Sequence, residues 1–398
     1  MHPIIASTRQ HPVYQLKQQL AETDLSSMYH RVFSREEIRG SERLSMFGSN
    51  NYLGLAHHPD VIAASRAATE ALGSATTGSR LLNGTYDLHA DLDTAIARLV
   101  GTESALSFPS GYQANVGTIA ALLRRGNTAV VDEYVHASVL DGVKMSGATL
   151  KKFRHNDVDD LRETLRTTDD GAGTLIIVDS VYSMEGSLAP LADICQTARD
   201  FGAAVMVDEA HGIGVFGPGG SGWVAECGVA DEVDVIMGSL SKAVASTGGF
   251  IAGSEELIDV LRYTARALMF STSATPATAA AAGASIGIIG SDEGEGLRGD
   301  VIHQSTYLRT ALSKAFGTEH ADYAGREVTP ITPFKIGDSL RAASISRSLI
   351  GAGTYVGAAL YPAVPEDGAI LRLCVTAGTT TDEIDKLVDD LGELVGAP

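Results

Sequence analysis

Val233-Asp-Val-Ile-Met-Gly-Ser-Leu-Ser-Lys-Ala243 runs from a short apolar segment into small polar residues and one lysine. The apolar part reads as a buried strand. Lys242 stands just past its end and is not a core residue, because an ammonium is almost never buried without a partner. Two readings stay open from this stretch alone. Lys242 is either a solvated lysine or an activated amine of the kind that forms a Schiff base with a carbonyl. The neighbouring strand ends decide between them.

Outward from this stretch the same pattern repeats. Thr128–Asp132, Leu150–Phe153, Thr174–Asp179, Ala203–Asp208 and Gly248–Gly253 read as strands. Helices are expected over Pro59–Leu72, around Leu92, Ile96 and Leu99, from Gly111 to about Leu123, from Tyr134 onward, over Asp157–Thr167 and over Pro190–Phe201. Such alternation implies a mostly parallel sheet with helices on both faces. Ligands then bind at the carboxyl ends of the strands, and His136, Asp179, Asp208 and Lys242 all fall there. The stretch Ala105-Leu-Ser-Phe-Pro-Ser-Gly-Tyr-Gln-Ala-Asn115 passes from strand to helix through Ser110 and Gly111. N–H groups at such a helix start favour an anion by roughly 0.3–1 kcal/mol, so Ser110, Gly111 and Tyr112 are candidates for cradling a phosphate.

Before this region, Val13, Leu16, Leu20 and Leu25 suggest one N-terminal helix within residues 12–38. The glycine- and asparagine-rich Met46–Pro59 and Gly73–His89 read as irregular, donor-rich segments. Beyond residue 290 a helix over Leu297–Phe316, strands at 328–335 and 369–375, and a last helix over Thr381–Leu394, capped by Thr380 or Thr381, describe a small α+β domain. The expected division is 1–55, an N-terminal helix and active-site segment; 56–290, a large domain; and 291–398, a small C-terminal domain.

Composition narrows the function. The 398 residues carry a net charge of −19, which disfavours nucleic acid and anionic membranes and requires any phosphate to be held by local groups. Cys195, Cys227 and Cys374 are far apart and odd in number, which suits neither a disulfide framework nor a zinc site and fits a reducing cytoplasm. The N-terminus does not read as a signal peptide, and no apolar run reaches membrane-spanning length. No metal-ligand set is expected.

A pyridine cofactor bearing an aldehyde and a phosphate needs a lysine, a buried carboxylate for its ring nitrogen, a flat partner, and hydroxyls with helix-start N–H groups. Lys242, Asp208, His136, and Ser110-Gly111-Tyr112 with Ser239 match these needs in turn. From about Asn50 to Thr381 the chain resembles the α-oxoamine synthase family of fold type I pyridoxal phosphate (PLP) enzymes. The resemblance rests on Asn-Asn-Tyr-Leu-Gly-Leu (50–55), Gly-Ser-Arg-Leu-Leu-Asn-Gly-Thr (78–85) with His89, Ser-Gly-Tyr-Gln-Ala-Asn (110–115), Asp-Ser-Val-Tyr-Ser-Met-Glu-Gly (179–186), Val-Asp-Glu-Ala-His-Gly (207–212), Ser-Leu-Ser-Lys (239–242), Phe-Ser-Thr-Ser (270–273) and Leu-Arg-Leu (371–373).

The resemblance implies an α/β fold type I PLP-dependent transferase, with a mostly parallel sheet in the large domain and a smaller α+β C-terminal domain. It implies a catalytic set of Lys242, His136, Asp208 and His211. Lys242 holds PLP and moves a proton, Asp208 pairs with the pyridinium, His136 stacks on the ring, and His211 bonds its phenolic oxygen with Ser183 near it. Gly111, Tyr112 and Ser239 take the phosphate with Ser110. Ser271 and Thr272 reach it from the other subunit of a homodimer with a shared active site. Asp179 is either a cofactor residue or a carboxylate capping a turn. Arg372 grips the amino-acid carboxylate, with Asn50, Ser79, Arg80 and Asn83 also on the substrate. The implied reaction is a decarboxylating Claisen-type condensation of glycine, alanine or serine with an acyl thioester, giving an α-amino ketone.

Asp208-Glu-Ala-His211 also spells a helicase box, but its GxxxxGK[ST] partner is absent from the sequence. An aminotransferase or another enzyme of the same fold is the rival within PLP chemistry. His89 is as readily a helix-packing residue as a site residue, and His57 and His58 read as solvated. Where the family often has Thr-x-x-His-Thr, this chain has Thr376-Ala-Gly-Thr-Thr380, which bears on acyl recognition. Coenzyme A is the default carrier. An acyl carrier protein is the alternative, for which Lys144, Lys151, Lys152 and Arg154 offer a basic patch.

Overall fold

The computed structural model describes residues 10–21, 31–39, 43–168, 173–361 and 363–396. By packing, the chain divides into two compact units. One comprises Asn50–Ser183 and Ser187–Gly299; the other comprises Met1–Ser49, Met184–Gly186 and Asp300–Pro398.

The strands in chain order are β1 (Ser45–Met46), β2 (Ser104–Phe108), β3 (Thr128–Asp132), β4 (Thr149–Phe153), β5 (Thr174–Asp179), β6 (Ala204–Asp208), β7 (Val235–Ser239), β8 (Gly249–Gly253), β9 (Ile331–Gly337), β10 (Thr354–Tyr355), β11 (Gly357–Ala359) and β12 (Ala369–Cys374). The larger unit holds a seven-stranded sheet in the order β2-β8-β7-β6-β5-β3-β4. β3 and β5 to β8 are apolar and almost wholly buried, as strands covered on both faces must be. β4, at one edge, carries Lys151 and Lys152 and is largely exposed, as edge strands that avoid further pairing often are.

β8 departs from the parallel set and runs antiparallel to both β7 and β2. Its cause lies in chain length. Residues 240–248 are too few for the crossover that a parallel return requires, which takes a dozen residues or more. The core beneath the sheet joins Leu106, Phe108, Ile119, Val131, Ile177, Met206, Met237 and Ile251.

In the smaller unit, β11, β12 and β9 form an antiparallel sheet, and β1 pairs with β10. Phe47, Leu308, Leu312, Phe334, Leu371, Leu373 and Leu387 make its core. The expected single N-terminal helix is corrected to Pro12–Ala21 and Arg35–Arg39, and Leu25 lies outside the described residues. The second helix restarts at a capping box. The Ser34 hydroxyl accepts from Glu37 N at 3.1 Å, and Glu37 Oε2 accepts from Ser34 N at 2.8 Å. Leu16 and Leu20 pack on Ala342, Ala343 and Leu360. The helix expected at Leu297–Phe316 extends over Asp292–His320, interrupted at Gly317, and the helix Ser339–Gly351 was not foreseen. The last helix, Thr381–Val395, is capped by Thr380 with Glu383. Among the described residues no helix is long and apolar enough to cross a membrane.

Candidate active site

The strand ends gather the chemistry. Asp179 and Asp208 are direct neighbours in the register of β5 and β6, and Asp208 stands opposite Met237 of β7. Asp208 is buried and accepts one donor on each oxygen, which leaves acceptor capacity free. Its Oδ2 accepts from Asn115 Nδ2 at 2.8 Å and its Oδ1 from Ala210 N at 2.9 Å. Asn115 also donates to Ser138 Oγ at 2.9 Å, which lies 2.7 Å from His136 Nδ1. A polar chain thus ties His136 to Asp208. His136 itself is exposed and caps the helix Ala137–Ser146. Asp179 accepts from His136 N at 3.4 Å. Burial, then the charge of Asp208, holds its carboxyl well above the usual range, while Lys242 pulls the other way.

Lys242 is half-buried in the turn joining β7 to β8. Backbone bonds fix that turn: Leu240 N to Gly248 O at 3.0 Å, Ser246 N to Leu240 O at 2.8 Å and Ala245 N to Lys242 O at 2.9 Å. Ala245 has φ +55°, a conformation alanine adopts only when its surroundings impose it.

The helix Gly111–Leu122 begins beside these groups, with the Ser110 hydroxyl accepting from Gln113 N at 3.1 Å. Two glycines permit the approach. A Cβ on Gly249 would stand 2.4 Å from Gly111 Cα, and one on Gly111 would stand 3.6 Å from Ser239 Oγ. The helix start is thereby pressed against the ends of β7 and β8, next to the Ser239 hydroxyl. This arrangement fits PLP. A buried, hydrogen-bonded carboxylate suits a pyridinium, and a helix start that Gly249 lets come close to the Ser239 hydroxyl suits a phosphate. The Tyr112 side chain donates instead to Asp141.

Glu209 was missed by sequence reading. It is fully buried, and its carboxylate accepts from Ser180 Oγ at 2.7 Å and Val224 N at 2.6 Å. Gly212 and Gly222 are the signal that marks it, since a Cβ on either would stand 1.9 Å and 2.8 Å from its oxygens. Burial pushes its pKa from 4.5 up to about 7. An acid whose folded pKa is raised binds a proton more tightly when folded, so its contribution to stability falls as pH rises from about 4.5 to about 7. We expect Glu209→Gln to remove that fall. Denaturation curves at pH 5 and pH 8 should show the variant gaining on the parent by up to the order of 3 kcal/mol at the higher pH. Equal pH slopes in the two proteins would refute this.

The remaining expected residues divide. His211 and Tyr52 are buried together, with the half-buried Asn50 beside them. Arg80 is turned inward, its guanidinium 2.6 Å from Asp93 and 2.8 Å from Ser107 Oγ, so its charge is engaged within the fold. Asn83 braces its own loop through Thr76 O at 3.3 Å, and Ser79 O accepts from Gly84 N at 2.9 Å. Ser271 accepts from Gln113 of the same chain at 3.1 Å, and Thr272 contacts Gly78 O at 3.5 Å. Ser183 is half-buried at the end of the larger unit's first segment. In the smaller unit, Arg372 of β12 donates to Cys374 Sγ at 2.9 Å and borders an apolar cavity of about 430 Å³ with Val13, Met184 and Leu360.

Two histidines prove structural. His89 is buried, accepting from Tyr86 N at 3.1 Å and lying 3.0 Å from Ala274 O. His58, expected to be solvated, caps the helix Pro59–Leu72 and lies 3.1 Å from Glu293. The basic patch is weaker than its sequence suggests, because Arg154 is bracketed by Asp157 at 2.8 Å and Asp160 at 3.4 Å, and Lys151 is tied to Thr167. A second missed group is Asp132–His155–Ser187. There His155 Nδ1 lies 3.1 Å from Asp132 and its Nε2 2.8 Å from Ser187 Oγ, pinning the turn after β5.

Comparison with known proteins gives the family. The profile of the family Aminotransferase class I and II matches residues 43–391. Serine palmitoyltransferase of Sphingobacterium spiritivorum is 35% identical over 381 residues, covering 95% of this chain and 94% of that protein. The 8-amino-7-oxononanoate synthase of Geobacter sulfurreducens is 40% identical over 372 residues, 93% of each. The solved serine palmitoyltransferase of Sphingomonas wittichii matches with a TM-score of 0.89 at 33% identity, over 98% of this chain and 99% of that one.

Proposed function

We propose that this chain, which belongs to the class I and II aminotransferase family and within it to the α-oxoamine synthases, condenses L-serine with a long-chain acyl thioester. The reaction class is the family's: a PLP-dependent, decarboxylating, Claisen-type condensation of an amino acid with an acyl thioester, releasing carbon dioxide and a free thiol. The choice of L-serine is carried by one observation, the likeness over 98% of the chain to a serine palmitoyltransferase of known structure.

Bound at the strand ends, PLP supplies a carbonyl that condenses with amines and a ring that stabilises negative charge at the amino acid's Cα. The protein's own groups do the rest in this reading. Lys242 holds the cofactor and carries the α-proton. Asp208, fixed by Asn115 and Ala210 N, keeps the ring nitrogen protonated. His136, tied to Asp208 through Ser138 and Asn115, covers one ring face. The helix start at Gly111, with Ser110 and Ser239, takes the phosphate. Arg372 takes the substrate carboxylate, a charge-assisted bond worth roughly 1.5–3 kcal/mol. The reading includes a homodimer, supported by Leu82 and Phe270. Both are strongly exposed, in loops that meet where Ser273 N donates to Gly78 O at 2.9 Å. With Arg154 and Lys151 engaged, coenzyme A is the favoured carrier.

The test is an absorbance titration of the PLP-loaded enzyme with glycine, L-alanine and L-serine, then with octanoyl- and palmitoyl-CoA, while carbon dioxide is collected. A visible-band shift strongest with L-serine, and gas release only after palmitoyl-CoA, is the expected result. Saturation by glycine or L-alanine instead would reassign the amino acid. A shift with keto-acid formation and no carbon dioxide would favour an aminotransferase.

A further inference from the structure

Tyr52 is fully buried, and its hydroxyl lies 2.7 Å from His211 Nδ1 and 3.2 Å from Asn50 Oδ1. One O–H proton cannot serve both acceptors. In one arrangement Tyr52 donates to Asn50, and His211 must then carry a proton on Nδ1 to donate to Tyr52. In the other, Tyr52 donates to His211 Nδ1, and the neutral ring carries its proton on Nε2.

The Asn50 contact separates the two. An O–H donor reaches oxygen at about 2.5–3.0 Å, whereas about 2.7 Å is within reach of either kind of donor. At 3.2 Å Asn50 is beyond that reach, so the Tyr52 proton goes to His211 Nδ1, which at 2.7 Å is within it. The histidine backbone is also held, since the preceding residue's N–H, on Ala210, bonds to Asp208 Oδ1 at 2.9 Å. The main chain beside His211 is therefore anchored to Asp208, and the ring itself is held at Nδ1 by Tyr52.

We propose that Tyr52 is a positioning residue that locks His211 as the Nε2–H tautomer, so that the ring presents a hydrogen-bond donor to the phenolic oxygen of the cofactor. The inference rests on the reading of His211 given above. A donor there stabilises negative charge on that oxygen. The opposite tautomer sets a nitrogen lone pair against it, and the contact becomes repulsive. Sequence alone hides this link, because the two residues are 159 positions apart.

The test uses the full chain, loaded with PLP and labelled with ¹⁵N-histidine. Long-range proton–nitrogen spectra report which ring nitrogen of each histidine carries hydrogen. The His211 signals are identified by their loss in His211→Asn. The parent should show His211 protonated on Nε2. Tyr52→Phe should move the ring to the other tautomer or a mixture, and should raise the PLP release rate, followed by absorbance, about tenfold. Asn50→Ala should leave the tautomer unchanged. A parent protonated on Nδ1 would overturn the proposal. So would a Tyr52→Phe protein with the parent's tautomer and release rate, or an Asn50→Ala protein whose ring switches. Should Tyr52→Phe not fold, the parent and Asn50→Ala spectra decide alone. Failure of the functional reading appears separately, as a parent that takes up no PLP, while its histidine spectrum still reports the Tyr52–His211 bond.

Discussion

Lys242→Ala is expected to lower turnover at least about 10⁴-fold while leaving the chain folded. The two halves of that expectation have separate grounds. The β7–β8 turn is closed by backbone bonds from Leu240, Ala245 and Ser246, and alanine keeps every one of them. The lysine side chain is half-buried and is no part of the hydrophobic core. Removing it therefore costs little packing, and the melting temperature should stay within a few degrees of the parent. The amine has no substitute of its own kind in the sheet-end cluster formed by Asp179, Asp208, His136 and Ser239. Exchange of the α-proton of L-serine in D₂O, followed by NMR, isolates the proton-transfer role from the later steps. Exchange persisting above about one hundredth of the parental rate would assign that proton to another group.

How far these features could be read in advance depends on the distance over which each is specified. Parallel strands are short apolar runs, and a carboxylate ending such a run, as at Asp179 and Asp208, marks the carboxyl edge of the sheet. The reversed direction of β8 was readable too, from the few residues that precede it, but it needed the loop length rather than the hydrophobic pattern. Glu209 escaped because it adjoins Asp208 and only the fold shows what it meets. Gly212, one turn on, and Gly222, further along the chain, make room for its carboxylate only once folded. Tyr52 with His211, and Asp132 with His155 and Ser187, escaped for the same reason. Arg80 shows a partner that its motif does not display. Its motif points to a substrate, and the structure adds an ion pair with Asp93, 13 positions on. The smaller unit was the least legible, since β1 and β10 are two residues each and owe their extended form to pairing.

Gly249→Ala is expected to cost both stability and cofactor affinity, because the added methyl meets backbone on every near side. The new Cβ would stand 2.4 Å from Gly111 Cα, 2.7 Å from Gly111 N and 3.0 Å from the Ser110 carbonyl carbon. None of these atoms can rotate away. Either β8 or the start of the helix Gly111–Leu122 must shift, and overpacking of this kind costs roughly 1–3 kcal/mol. The functional effect follows from which end of the helix moves. Its N–H groups bind an anion only when aimed at it, and losing one charge-assisted hydrogen bond costs roughly 1.5–3 kcal/mol. The dissociation constant for PLP, measured by fluorescence quenching, should rise by about 10- to 100-fold. Gly283→Ala is the control. It lies inside the helix Pro276–Ile289 with nothing within 4 Å of its new Cβ, so it should hold affinity and raise stability by up to about 1 kcal/mol. If Gly249→Ala loses stability but binds PLP as the parent does, the phosphate is not held at this helix start. The role given to Ser110, Gly111 and Ser239 then falls, while the assignment of Lys242 and Asp208 does not depend on it.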